Sequence, residues 1–133
     1  MIYLLDTNIV SALMEAPGGR IAERIAEVAP ASILTSIIVL GELRYGIAWR
    51  QSEKLQRRLD VVLAQLKVEP WHAPADEIYG RLRAELRRTG TTIGGNDALI
   101  AAHALTLGAV MVTDNVREFG LVPGLRVENW LRD

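Results

Sequence analysis

Four acidic residues, far apart in the chain, are candidates for one chemical site. Asp6 and Asp114 each follow a short apolar run and lie beside Thr and Asn, in the triplets Asp6-Thr7-Asn8 and Thr113-Asp114-Asn115. Glu42 and Asp97 are the other two acids. Clustered carboxylates repel one another, and a divalent cation relieves that repulsion. Because oxygen ligands suit Mg²⁺ or Mn²⁺, the chemistry indicated is attack of an activated water on phosphorus.

Two apolar runs predict the strands that would carry Asp6 and Asp114. The runs 2–5 and 109–112 contain no breaker, which is typical of strands buried on both faces of a parallel sheet. Open α/β sheets bind their ligands at the carboxyl ends of the strands, where both acids would lie. The alternative is that Asp6 only caps a helix or forms a salt bridge. Thr7 or Asn8 is the expected cap of the helix that follows.

The rest of the chain predicts strands that alternate with helices. Further β-prone runs are 33–35, 67–69 and 125–128, and helical spacing of apolar residues occurs over 20–28, 36–50, 52–66, 74–88 and 96–107. Ser36 is an expected helix cap, and residues 117–121 are expected to be irregular. Alternating strands and helices indicate one α/β domain over residues 1–133 with a mostly parallel central sheet.

Glu42 and Asp97 are both expected on helices near the carboxyl edge of that sheet. Glu42 lies off the apolar stripe of its helix, and Asp97 follows Asn96, the expected cap of the next helix. No basic residue is adjacent to Asp6 or Asp97 in the sequence. Each acid has a purely structural alternative: Glu42 as a solvated helix residue, and Asp97 as a first-turn acid that favours the helix dipole.

The composition limits the class of protein and the kind of metal site. The chain has no cysteine, so disulfides and cysteine-bound zinc are excluded, and any metal is held by oxygen or by the two histidines. Half of the residues are hydrophobic, but no apolar stretch approaches the roughly 18 residues of a membrane span. Because no positive region precedes the first apolar run, we expect no secretory signal and a soluble, cytoplasmic protein.

Five segments carry motifs that are found together in one known family. They are Leu5-Asp-Thr-Asn8, Gly41-Glu-Leu-Arg-Tyr-Gly46, Gly94-Gly-Asn-Asp-Ala-Leu-Ile-Ala-Ala-His103, Thr113-Asp-Asn-Val-Arg-Glu-Phe119 and Val122-Pro-Gly-Leu-Arg-Val-Glu-Asn-Trp130. In this order they resemble the PIN-domain ribonucleases of the VapC toxin family over nearly the whole chain. The resemblance implies a PIN-like three-layer α/β/α fold and Mg²⁺- or Mn²⁺-dependent cleavage of tRNA or other structured RNA. It also implies a homodimer and inhibition by a cognate VapB-type antitoxin.

The resemblance also implies roles for individual residues. By motif, Asp6, Glu42 and Asp97 are the core catalytic and metal-binding acids. The family's Thr-x-Asn/Asp pattern points to Asn115 for the fourth position, whereas the acid in this segment's triplet is Asp114. Both alternatives stand, with Asp114 favoured on charge. The expected supporting residues are Thr7, Asn8, Thr113 and Asn115.

Arginines are the candidates for contact with RNA or with the antitoxin. The net charge of −1 alone argues against a strongly electrostatic nucleic-acid binder, but thirteen of the fifteen basic residues are arginine, which suits bidentate phosphate contact. Most arginines on helices belong to solvated faces, and Arg57 and Arg58 are expected to point outward. The sharper hypothesis is that some of them bind RNA phosphates or antitoxin carboxylates; these candidates are Arg44, Arg50, Arg81 and Arg88.

Two functions from other classes are weaker alternatives. A catalytically silent partner-binding module would keep the fold and the dimer surface but bind no metal. A receiver-like phosphoacceptor domain would need a lysine near the acids. The lysines are Lys54 and Lys67, and neither follows a strand-end motif, so this alternative ranks last.

Overall fold

In the computed structural model, which describes residues 1–132, a five-stranded sheet is flanked by helices. The strands are β1 (Ile2–Leu5), β2 (Ile33–Ser36), β3 (Lys67–Glu69), β4 (Ala109–Val112) and β5 (Val127–Glu128). The helices are α1 (Thr7–Glu15), α2 (Arg20–Glu27), α3 (Ile37–Arg50), α4 (Glu53–Leu63), α5 (Ala75–Arg88), α6 (Gly95–Leu107) and α7 (Val116–Phe119). A 3-10 turn, Pro30–Ser32, precedes β2.

The order of the strands produces the predicted three layers. The order is β3-β2-β1-β4-β5, and every neighbouring pair is parallel. The chain moves from β1 to β3 in one direction and then crosses to β4 and β5 on the other side. Because crossovers between parallel strands are right-handed, α1 to α4 cover one face of the sheet and α5 to α7 cover the other. This confirms the predicted α/β/α architecture.

The centre of the sheet is buried because helices cover both of its faces. Every residue of β4 is buried, as its uninterrupted apolar run predicts, and every residue of β2 is buried as well. Helix α6 is also apolar almost all round, and the side chains of Ala98, Ala101 and Ala104 are completely buried. Among residues 1–132, no helix combines the length and the apolarity needed to cross a membrane.

The cap of α1 differs from the prediction. Asp6 itself caps the helix, because its Oδ1 accepts a hydrogen bond from the Thr7 amide at 2.8 Å. The side chains of Thr7 and Asn8, the expected caps, instead bind polar groups on other elements. Asp6 therefore caps the helix and still presents its second carboxylate oxygen to the end of the sheet.

Two other local predictions are wrong. Helix α6 begins at Gly95 with Gly94 as its cap, so Asn96 lies inside the first turn and is exposed. Residues 117–121, predicted to be irregular, include most of α7. A helix of four residues is too short to show an apolar period, so the sequence pattern does not reveal it.

A buried hydrogen bond joins the start of α3 to α6. The Nδ1 atom of His103 lies 2.8 Å from the Ser36 hydroxyl, and both residues are almost fully buried. Ser36 also caps α3 as predicted, by accepting a hydrogen bond from the Ile38 amide at 3.0 Å. Burial lowers the pKa of His103, although the charge of Glu69 opposes this. The neutral imidazole therefore holds α3 against α6.

We predict that His103→Ala lowers the free energy of unfolding by about 2–4 kcal/mol at pH 7.5, because it leaves a cavity and an unpaired Ser36 hydroxyl. The wild-type imidazole takes up a proton more readily in the unfolded chain, so its contribution is complete above about pH 6.5 and is lost as the pH falls. Urea titrations at several pH values measure this. The matched control is His72→Ala, at an exposed histidine. Equal stability of wild type and His103→Ala at pH 7.5 would contradict the assignment.

Candidate active site

Asp6 is the most deeply buried acid at the carboxyl end of the sheet. It is 4% exposed and follows β1 directly. Its Oδ2 accepts hydrogen bonds from the Thr113 hydroxyl at 2.7 Å and from the Asn8 amide at 3.2 Å. Burial raises the pKa of Asp6 and the charge of Glu118 adds to this, while hydrogen bonds from Thr113, Thr7 and Asn8 oppose it. Three hydrogen-bond donors thus stabilise the ionised form of the buried Asp6 carboxyl.

Thr113 and Asn8 connect the ends of β1 and β4, which are neighbours in the sheet. The Thr113 hydroxyl donates to Asp6 and lies 3.4 Å from the Asn8 side-chain amide and 3.0 Å from the Asn115 backbone amide. The Asn8 carbonyl oxygen accepts from the Asp114 backbone amide at 2.9 Å. Two of the predicted supporting residues therefore fix the position of the Asp6 carboxylate.

Glu42 reaches the same place from α3. Its Oε2 accepts a hydrogen bond from the Thr7 hydroxyl at 2.8 Å, and its side chain is partly buried. Because Thr7 is the first residue of α1, this contact ties Glu42 to the residue that follows Asp6. The structure thus brings Asp6 and Glu42 together, and Thr7, the third predicted supporting residue, connects them.

Asp97, at the start of α6, lies among the other acids. Its pKa is raised to about 7 by burial, by a hydrogen bond with Glu118, and by the negative charges of Glu118, Asp6 and Glu42. A carboxyl group with this pKa is about half protonated at neutral pH. The proton on Asp97 partly relieves the repulsion among these four side chains.

Glu118, on α7, was not among the predicted site residues. Its Oε1 accepts from the Gly94 amide at 2.6 Å, and its Oε2 accepts from the side chain of Asn115. Burial would raise the pKa of Glu118, but the hydrogen bonds from Gly94, Asp97 and Asn115 lower it. Glu118 is therefore the carboxylate that accepts the proton of Asp97 in their shared hydrogen bond.

Asp114, which its charge favours for the fourth position, does not lie with the other acids. Its carboxylate accepts hydrogen bonds from Asn129 at 3.0 Å and from Arg132 at 3.1 Å, and these lower its pKa. Side chains at the end of a strand alternate in direction, so the residue after the inward-facing Thr113 points away. Of the two alternatives for the fourth position, Asn115 contacts the acidic cluster through Glu118 and Asp114 does not.

One signal in the sequence points to Glu118. It lies inside the family segment that begins at Thr113, three residues after Asn115. Residues with this spacing share one face of a helical turn, so an acid here would lie beside Asn115. Because the turn is so short, only the resemblance and this spacing indicate it.

The four arginines predicted to contact RNA or an antitoxin do not form one group. Arg50 lines a cleft between α1, α3 and α4, and Arg88 lines a separate cavity along α5. Arg44 and Arg81 are exposed on α3 and α5. The cleft that Arg50 lines also contains an acid of the site, Glu42.

We predict that Asp97 contributes less to the free energy of unfolding at about pH 8 than at about pH 5.5 in the protein without added metal, because its pKa is raised in the folded chain. Asp97 holds its proton more tightly in the folded chain, so this contribution is complete below about pH 3.8 and is lost as the pH rises through about 7. Because asparagine does not ionise, Asp97→Asn should not lose this stability as the pH rises. At pH 8 its free energy of unfolding should exceed that of the wild type by on the order of 2 kcal/mol. Urea titrations at both pH values measure this, with Asp76→Asn as the exposed control. The same pH dependence in wild type and Asp97→Asn would disprove it.

Comparison with known proteins identifies the family. Residues 3–124 match the PIN domain family. The chain is 41% identical to Ribonuclease VapC2 of Rickettsia felis over 98% of both proteins, and 37% identical to the tRNA(fMet)-specific endonuclease VapC of Salmonella typhimurium over 96% of this chain and 97% of that protein. Its fold superposes on a solved structure of VapBC2 from Rickettsia felis bound to promoter DNA with a TM-score of 0.88, at 38% identity and with 98% and 99% of the two chains covered. The chain therefore belongs to the VapC family of PIN-domain ribonucleases.

Proposed function

We propose that the protein is a metal-dependent endoribonuclease, the toxin of a toxin–antitoxin pair, which hydrolyses phosphodiester bonds in tRNA or other structured RNA. The observation that carries this is the convergence of Asp6, Glu42, Asp97 and Glu118. Thr7, next to Asp6, binds Glu42, and the carboxylates of Asp97 and Glu118 both lie beside Gly94. The charges of the other three acids raise the pKa of Asp97. The names of the relatives support the substrate class, since they are ribonucleases and one is specific for a tRNA. We place the activity in the cytoplasm, where such RNA is found.

The proposed cofactor is Mg²⁺, with Mn²⁺ as a substitute. The donor set fits a hard cation, because it consists of carboxylate oxygens supported by hydroxyl and amide groups. Within residues 1–132, no three acidic or histidine side chains are already placed to hold an ion. The carboxylates would therefore have to turn toward the ion, and Asp97 would have to give up its proton.

Hydrogen-bond donors around the site hold three of its carboxylates in position. Thr113 and Asn8 fix the Asp6 carboxylate, Thr7 fixes Glu42, and the Gly94 amide fixes Glu118. A bound divalent ion supplies positive charge against the phosphate and lowers the pKa of water. Water is the proposed nucleophile, and we assign no side chain to that role. We propose Asp6, Glu42, Asp97 and Glu118 as the catalytic, metal-binding acids, with Asn115 orienting Glu118.

The proposed partners are a VapB-type antitoxin and a second copy of this chain. Similar solved structures are VapBC complexes, which supports the antitoxin. Helix α3 exposes Ile37, Tyr45 and Trp49, with Trp49 78% exposed. Exposed aromatic side chains of this kind are typical of protein–protein contact surfaces, which supports a homodimer formed through α3.

We predict that Asp97→Asn abolishes RNA cleavage and growth inhibition while the protein remains folded. The substitution removes a negative ligand and keeps the shape of the side chain. Cleavage of a labelled tRNA mixture in the presence of Mg²⁺ measures the activity, and circular dichroism checks the fold. Full metal-dependent cleavage by Asp97→Asn would overturn its role. A wild-type protein that is folded and cuts no RNA would instead indicate a silent partner-binding module.

A second pair of variants distinguishes the two candidates for the fourth acid. Glu118→Gln should lower the cleavage rate by roughly a hundredfold or more, because it removes a charge from the metal-binding cluster. Asp114→Asn should keep nearly full activity, because Asp114 contacts Asn129 and Arg132 instead of the cluster. Single-turnover cleavage rates at saturating Mg²⁺ measure both. The reverse order of effects would return the fourth position to Asp114.

A further inference from the structure

We propose that the cleft between α1, α3 and α4 binds the RNA strand on one side of the cut phosphate, with Arg58 as the principal phosphate contact. The inference rests on the proposed nuclease function and adds a substrate-binding surface to it. The cleft has a volume of about 380 Å³. Thr7 and Glu42, which belong to the acidic site, form part of its wall, and Arg50 and Arg58 line it as well.

Arg58 has an unusual position for an arginine on a surface helix. It shares the inward face of α4 with Leu55 and Val62, three residues before it and four after it, and Val62 is 6% exposed. The amphipathic pattern of α4 predicts that Arg58 points outward, but the side chain is partly buried and lines the cleft. Throughout residues 1–132, no ion-pair or hydrogen-bond partner of its guanidinium is found. A partly buried guanidinium without a counter-charge favours the binding of an anion.

The neighbouring Arg57 lies in a different environment from Arg58. Its side chain is 71% exposed and lies 4.0 Å from Glu53, one helical turn earlier. Arg57 therefore belongs to the solvated face of α4, whereas Arg58 belongs to the cleft. The two adjacent arginines carry the same charge and differ in direction, so they form a matched pair for experiment.

Gly46 is a second feature that favours an occupant of the cleft. It lies in the interior of α3, where glycine is less favourable than alanine, and it lines the cleft. Apart from its two chain neighbours and the nearby backbone of α3, a Cβ atom built on Gly46 has no atom of residues 1–132 within 4 Å, so packing against other elements does not explain the glycine. A larger side chain at this position would project into the cleft. Because glycine has no side chain, this part of the cleft stays open for a ligand.

An RNA strand is the ligand that best matches these features. The substrate of an endonuclease continues beyond the cut bond, so the strand has to leave the acidic site along the protein surface. This cleft starts at Thr7 and Glu42 and contains two arginines, which pair readily with phosphates. Met14 and Ile47 provide apolar wall for ribose and base faces, while Ser11 and Glu15 are the remaining polar lining. An acidic segment of a protein partner is the competing ligand, and variants of Arg58 distinguish it from RNA.

The test compares Arg58→Gln with Arg57→Gln. Binding of a fluorescein-labelled RNA is followed by anisotropy in an Asp97→Asn background, which prevents cleavage. Arg58→Gln should weaken binding by roughly tenfold and reduce the slope of log K against log salt by about 0.7, as expected for one lost phosphate contact. Arg57→Gln should change the affinity by less than about twofold. With Asp97 restored, Arg58→Gln should raise KM and leave kcat nearly unchanged.

A second variant covers the possibility of misfolding. Gly46→Leu replaces glycine with a better helix former, so the melting temperature should stay level or rise while RNA binding weakens. Equal effects of Arg58→Gln and Arg57→Gln, or no effect of Arg58→Gln and Gly46→Leu, would overturn the proposal. Unchanged RNA binding together with weaker binding of an acidic peptide would assign the cleft to a protein partner instead. When the variants give an overturning result and the wild type binds and cuts RNA, only the cleft assignment fails. When the wild type neither binds nor cuts RNA, the proposed function fails as well.

Discussion

The protonation and the cation affinity of the site follow from the mutual repulsion of carboxylates that the fold holds close together. Asp6, Glu42, Asp97 and Glu118 come from four different elements and lie at one edge of a buried sheet. Negative charges that are partly withdrawn from water cost free energy unless donors or positive charges compensate them. Hydrogen bonds compensate Asp6, Glu42 and Glu118, whereas Asp97 retains a proton up to about pH 7.

The sheet topology explains why this edge collects the polar groups. The strand order reverses beside β1, and β4 lies next to it, so the last residues of these two strands are adjacent. A crevice at such a reversal is where open α/β sheets bind ligands. Because the strands are parallel and in register, Thr113 reaches Asp6 without a long side chain. The backbone thus sets the geometry, and α3, α6 and α7 add acids around it.

Sequence patterns predict those parts of the site that lie next to long, regular elements. The apolar runs before Asp6 and Asp114 indicate β1 and β4, and the family segments point to Glu42 and Asp97, which the structure brings to Asp6. The structure places the Asp114 carboxylate outside the cluster, because its side chain follows that of Thr113 and points in the opposite direction. The sequence pattern does not point to Glu118, since the four helical residues of α7 give no periodic signal.

Sequence patterns also do not predict which arginines of α4 line the cleft. Arg57 and Arg58 are adjacent basic residues on an amphipathic helix, and nothing in the pattern separates the outward one from the inward one. Their environments are set by how α4 packs against α1 and α3, which is a tertiary property. The empty space beside Gly46 is likewise visible only once the helices are assembled.

The number of protons released when Mn²⁺ binds shows whether a cation and the Asp97 proton relieve the same repulsion. Calorimetric titration in buffers of different ionisation enthalpy gives this number. If a cation and the Asp97 proton relieve the same repulsion, binding should release about half a proton at pH 7, fewer at higher pH, and none in Asp97→Asn. Mn²⁺ binding without proton release at pH 7, or equal release by wild type and Asp97→Asn, would contradict the claim.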